Sequence, residues 1–128
     1  MKKETLVWFN QAKIHFSDAI FMYENRRYSG AVYFCHQALE KILKAAIVEK
    51  ANKIPPKSHA LEYLLKLSKL KPEQTEWSIA LAEITRHFWQ VRYGDYRQYK
   101  FTTRQKVEPT INFTKLIFLW VKKQLDNI

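Results

Sequence analysis

Arginine, tyrosine and lysine alternate through Arg92-Tyr93-Gly94-Asp95-Tyr96-Arg97-Gln98-Tyr99-Lys100. Guanidinium groups grip phosphate with paired N–H donors, and tyrosine rings stack on unpaired bases. Basic and aromatic side chains interleaved in this way suit single-stranded RNA. The candidate contacts are Arg92, Tyr93, Asp95, Tyr96, Arg97, Tyr99 and Lys100. The competing reading is structural: the tyrosines pack back on the protein, and Asp95 pairs with Arg92 or Arg97.

A second polar pattern lies in the stretch from Tyr33 to Ala45, which reads YFCHQALEKILKA. Gln37, Glu40, Lys41 and Lys44 recur at three- and four-residue steps and so share one side of a helix. Taken as a bare pattern this is a solvated face, on which Glu40 and Lys44 form a surface pair worth about 0.2–0.5 kcal/mol. His36, His59 and His87 are the candidate proton acceptors, although a histidine in such a setting is more often a structural hydrogen-bonding residue. His15 has no motif around it.

Metal and disulfide chemistry find no support. No His/Asp/Glu cluster has ligand spacing, and Cys35 is the only cysteine, so no metal site, cofactor or intrachain disulfide is expected. A reducing, cytoplasmic setting fits best. The opening Met1-Lys2-Lys3-Glu4 lacks the apolar core of a signal peptide. The longest apolar run, Leu116 to Val121, is six residues, against about 20 for a membrane span. Charge is more informative. With 22 Lys and Arg against 12 acids, the formal net charge of +10 favours polyanionic partners. Nucleic acid is the first candidate and an acidic protein the second; a surface of solvated lysines is the bland alternative.

These residues must be positioned by helices. The sequence has only two glycines and four prolines, too few for a turn-rich sandwich or barrel. Leu6, Phe9, Phe16, Ala19, Ile20 and Tyr23 form an apolar stripe in a helix over 3–25. Ser29 is a candidate cap for a second helix over 30–50, lined by Ala31, Phe34, Cys35, Ala38, Leu39, Ile42, Ala46 and Ile47. Pro55-Pro56 forces an extended loop, and Ser58 is a candidate cap for a short third helix carrying Leu61, Leu64, Leu65 and Ser68. A fourth helix spans 73–91, with Trp77, Leu81, Ile84 and Phe88 inward. A fifth runs from Thr102 or Thr103 to about Leu125, with Pro109 either kinking it or delaying its start. The expected fold is all-α: a single domain over 1–128, an up-and-down antiparallel bundle of four long helices plus one short helix. The wide apolar face Phe113, Leu116, Ile117 and Trp120 suggests a homodimer contact.

Three of these stretches together resemble the HEPN domain family. YFCHQALEKILKA resembles the family's signature helix, in which His36, Gln37, Glu40, Lys41 and Lys44 fall. Ser58-His59-Ala60-Leu61 resembles its step into the third helix, and Arg92-Tyr93-Gly94-Asp95 its Arg-Tyr-Pro-Asp turn, with Gly94 where proline is common. The resemblance implies a helical bundle, often dimeric, that binds RNA or a nucleotide. It also implies, for one large group, a small nucleotidyltransferase partner in toxin–antitoxin or defence systems. The RNase members are metal-independent and use Arg, four to six residues, then His. Here those spacings from Arg92 reach Arg97, Gln98 and Tyr99. Arginine stays protonated and cannot act as a general base, although it can hold phosphate. The resemblance therefore implies a non-catalytic binding domain. The alternative is a metal-independent RNase that uses Arg92 with an atypical base.

Overall fold

The apolar stripes become five helices. A computed structural model of the chain describes residues 1–94 and 101–126. The helices are α1 (Lys3–Glu24), α2 (Tyr28–Ala51), α3 (Leu61–Ser68), α4 (Glu76–Tyr93) and α5 (Arg104–Asp126), and the described residues contain no strand.

α2 is the axis of the bundle: α1, α5, α3 and α4 all pack against it. Its composition explains this. Ala31, Val32, Cys35, Ala38, Leu39, Ile42, Leu43, Ala45 and Ala46 are all fully buried, and they face in several directions. The alanines among them let neighbouring backbones approach. Glu40 and Lys44, expected on a solvated face, are buried as well. α2 is enclosed on nearly all sides, so it has no wide wet face to offer them. Lys41 and Gln37 are half-buried.

The core has two parts. The larger gathers Leu39, Leu43 and Ile47 of α2 with Leu61 and Leu64 of α3, Leu81 of α4 and Ile117, Val121 and Leu125 of α5. Trp77 and Trp120 meet edge-on within it, with ring centroids 5.1 Å apart. The smaller surrounds Tyr23, Val32, Cys35, Phe101 and Val107.

Several boundaries differ from the sequence expectation for local reasons. α2 starts at Tyr28, so Ser29 lies inside the helix and does not cap it. Arg26 takes a positive φ of 61°, and Arg27 N–H donates to the Met22 carbonyl at 2.8 Å. That left-handed closure ends α1 and aims the chain back along it. Ser58 is not the residue that caps α3, which begins at Leu61. At α5 the Thr103 hydroxyl does accept from Lys106 N–H, at 3.3 Å. The helix runs on through Pro109, where only the Gln105 carbonyl loses its partner. Ile117 and Trp120 point into the core, as Phe113 partly does, so of that expected contact face only Leu116 stays exposed, joined by Leu119.

Candidate nucleotide interface and its buried polar core

The last two turns of α4 carry the exposed chemistry. Residues four apart share a helix face, which brings Trp89 and Tyr93 together. Their rings stack with centroids 5.5 Å apart and planes 18° from parallel. Both remain exposed, at 41% for Trp89 and 67% for Tyr93. Arg86, Gln90 and Gly94 complete an open groove beside them. The Arg92 guanidinium lies 5.2 Å from the Tyr93 ring centre and 5.8 Å from that of Phe88. α4 ends at Gly94, where any Cβ would run into the Gln90 carbonyl. A glycine at this point therefore lets the chain leave the helix directly beside the ring pair.

The two exposed stacked rings thus lie beside Arg86 and Arg92. Arg92 and Tyr93 are two of the candidate contact residues of the sequence, and the structure places them at this end of α4. Asp95, Tyr96, Arg97, Tyr99 and Lys100 lie outside the described residues. The sequence reading gave no binding role to Trp89 or Arg86. The signal was present in the four-residue spacing of Trp89 and Tyr93, but it was masked because Trp89 lies within a helix of core residues.

Beneath the ring pair lies a buried polar cluster. His59 Nδ1 donates to Glu40 Oε1 at 2.6 Å. Glu40 Oε2 accepts from Lys44 Nζ at 3.2 Å, and Lys41 Nζ lies 3.6 Å away. Both lysines cover the Trp8 ring of α1, at 5.3 and 5.4 Å from its centre. His36 Nε2 donates to the His59 carbonyl at 2.7 Å. The segment holding His59 is pinned further: Ala60 N–H donates to Ser58 Oγ at 3.1 Å, and Leu61 N–H donates to Thr85 Oγ1 of α4 at 3.0 Å. Thr85 thereby serves the free end of α3, the task expected of Ser58.

Phe88 joins the cluster to the ring pair. This fully buried ring stacks on His36 at 3.9 Å and meets His59 at 5.5 Å, while Arg92 covers it near the surface. Trp89 stands edge-on to His59 at 5.7 Å.

Electrostatics follow burial. Burial opposes charge on Glu40, but the His59 hydrogen bond and the Lys44 charge outweigh it and hold the carboxyl below its ordinary range. Burial pushes the His36 imidazole down from 6.5, so it stays neutral. His15, stacked on Phe34, is lowered by burial and by Lys41. No group of three or more metal-ligating side chains occurs among the described residues, and no helix there is long and apolar enough to cross a membrane.

The architecture defines an all-α bundle with an acid–histidine–lysine cluster at its central helix. The family model of the HEPN domain matches residues 5–124, nearly the whole sequence. The chain belongs to the HEPN domain family. Two solved structures share the fold. TT1696 from Thermus thermophilus is 20% identical, with 97% of this chain and 100% of that one aligned at a TM-score of 0.79. ST0689, an archaeal HEPN homologue, is 22% identical, with 98% and 99% aligned at a TM-score of 0.73. At such identity the likeness concerns the fold alone. A search of curated proteins returns no match.

Proposed function

We propose that this HEPN domain binds single-stranded RNA or a nucleotide on the C-terminal face of α4. The observation that carries the reading is the exposed Trp89–Tyr93 stack, flanked by Arg86 and Arg92. Base–aromatic stacking contributes about 1–3 kcal/mol per base and tolerates any sequence. The formal net charge of +10 supplies long-range attraction. Asp95, Tyr96, Arg97, Tyr99 and Lys100 extend the contact. Filter binding with a single-stranded oligoribonucleotide tests this: Trp89→Ala weakens retention about tenfold, within the range for one stacked base. Equal binding by Trp89→Ala and wild type defeats it.

The family supports a finer version, in which the domain acts in the cytoplasm as a homodimer. Its partner is then a small nucleotidyltransferase, in a toxin–antitoxin or defence setting. Leu116 and Leu119, both half-exposed on α5, offer apolar surface for self-association. Light scattering at micromolar concentration gives twice 15.4 kDa on this reading and the single-chain mass otherwise.

One observation favours a second reading, a metal-independent RNase. Glu40 holds His59 as a carboxylate holds the imidazole of a general base, which supplies a histidine that the spacing after Arg92 lacks. RNA cleavage abolished by both Arg92→Ala and His59→Ala would establish it.

A further inference from the structure

We infer that His59 is a phosphate contact of the α4 platform, presented through Nε2 and positioned by Glu40. This rests on the α4 reading above and adds a subsite to it. Nδ1 is committed to Glu40 at 2.6 Å, which fixes the ring and leaves Nε2 without a partner among the described residues. The ring is 36% exposed, so a ligand can reach it. Its backbone is held as tightly: the carbonyl accepts from His36, and the neighbouring N–H groups bind Ser58 and Thr85. A side chain ordered to this degree loses little entropy when it takes up a ligand.

Position selects the ligand. His59 stands edge-on to Trp89, and Trp89 stacks on Tyr93. A base laid against these rings carries its sugar–phosphate past the rim of the platform, where His59 stands. The surrounding charge selects an anion. Among the described residues Glu40 is the one acid in contact with His59, and Lys44 and Lys41 both lie against it. Arg92 reaches over Phe88 from α4, His36 is neutral, and Glu62 of α3 is engaged by Thr85 at 3.3 Å. The patch is therefore net positive without counting His59. A phosphate oxygen accepts from the Nε2–H of an imidazolium ring whose Nδ1–H is held by a carboxylate, and Glu40 is that carboxylate here.

The test separates base from phosphate. NMR titrations compare deoxyadenosine with the dinucleotide d(ApA), whose phosphodiester stays anionic at all working pH values and which lacks the 2′-hydroxyl needed for cleavage. Wild-type protein is expected to prefer d(ApA) by about tenfold, as for one charged hydrogen bond. His59→Gln and Glu40→Gln remove the preference but leave deoxyadenosine binding intact. In wild-type protein the His59 ring resonances shift with d(ApA) and not with deoxyadenosine, which needs no variant to fold. Retention of the preference in His59→Gln overturns the inference while leaving the platform standing. Deoxyadenosine binding that survives Trp89→Ala, or no binding of either ligand, overturns the platform and the inference with it.

Discussion

Glu40 of α2 and His59, 19 residues later, are joined by a hydrogen bond of 2.6 Å between Oε1 and Nδ1. Glu40 is 2% exposed, and its other oxygen faces Lys44, itself 5% exposed. A helix–loop junction thus depends on a charged network inside the protein. Such a network is costly to break from one side, because the remaining charge stays buried without a partner.

Glu40→Gln should therefore cost about 3 kcal/mol in urea unfolding at pH 7, the low end for a buried charge stripped of its partner. Adding Lys44→Met should return most of that loss, since the orphaned ammonium is then gone. Additive losses in the double mutant would show that the two side chains are not coupled.

Stability should also fall on mild acidification, and the sign follows from three groups. His36 and His15 are both held below 6.5, chiefly by burial. Their contribution is present above that value and is lost as the pH falls below it, because the unfolded chain takes up the protons first. Glu40 is held below 4.5, so its contribution is lost in a second, more acidic window. Urea midpoints from pH 8 to pH 4 should decline already between pH 6.5 and 5. A flat profile down to pH 5 would contradict a neutral, buried His36.

The all-α class and the five stripes were legible in the sequence because glycine is scarce and the helical period is strong. The inward turn of Glu40 and Lys44 was not. Local spacing reports which residues share a face, and only the packing of four helices around α2 decides that this face is enclosed. Trp89 was hidden for the opposite reason: it follows the buried Phe88 in a helix of core residues, yet its own ring is exposed. Arg92 and Tyr93 were singled out on their chemistry alone, and the structure places them at the C-terminal end of α4, beside the Trp89 ring.

Cys35 should be inert in the native protein. It is fully buried, and burial pushes its thiol up to about 12. At pH 8 the thiolate fraction is then on the order of one in ten thousand, against about a quarter for an ordinary thiol. Iodoacetamide should leave the native mass unchanged over an hour and add one carbamidomethyl group in guanidinium chloride. Rapid native labelling would mean that the α2 packing opens readily.

Phe88→Ala should be among the more destabilising single changes. The ring is fully buried and touches Tyr33, His36 and His59. Truncating a buried phenylalanine costs about 3–5 kcal/mol, or roughly 10–20 °C in Tm for a chain of this size. A loss below about 1 kcal/mol would mean that the cluster repacks without it.

RNA binding should depend steeply on salt, and its parts should separate. Each phosphate contact to a single strand contributes about 0.7 to the slope of log affinity against log salt. Arg86 and Arg92 flank the ring pair, so replacing both by alanine should reduce the slope by about 1.4. Trp89→Ala should lower affinity at every salt concentration and leave the slope unchanged, because stacking releases no counterions. Replacing Arg97 as well should reduce the slope by about 0.7 more if that residue also holds phosphate. Anisotropy titrations of a labelled oligoribonucleotide between 50 and 300 mM salt distinguish these patterns. Gel analysis of the same samples should show intact RNA on the proposed binding reading, since no histidine stands four to six residues after Arg92. Cleavage that disappears with Arg92→Ala would move the conclusion to the enzyme reading. A salt-independent signal would remove phosphate contacts altogether and leave a protein-binding domain.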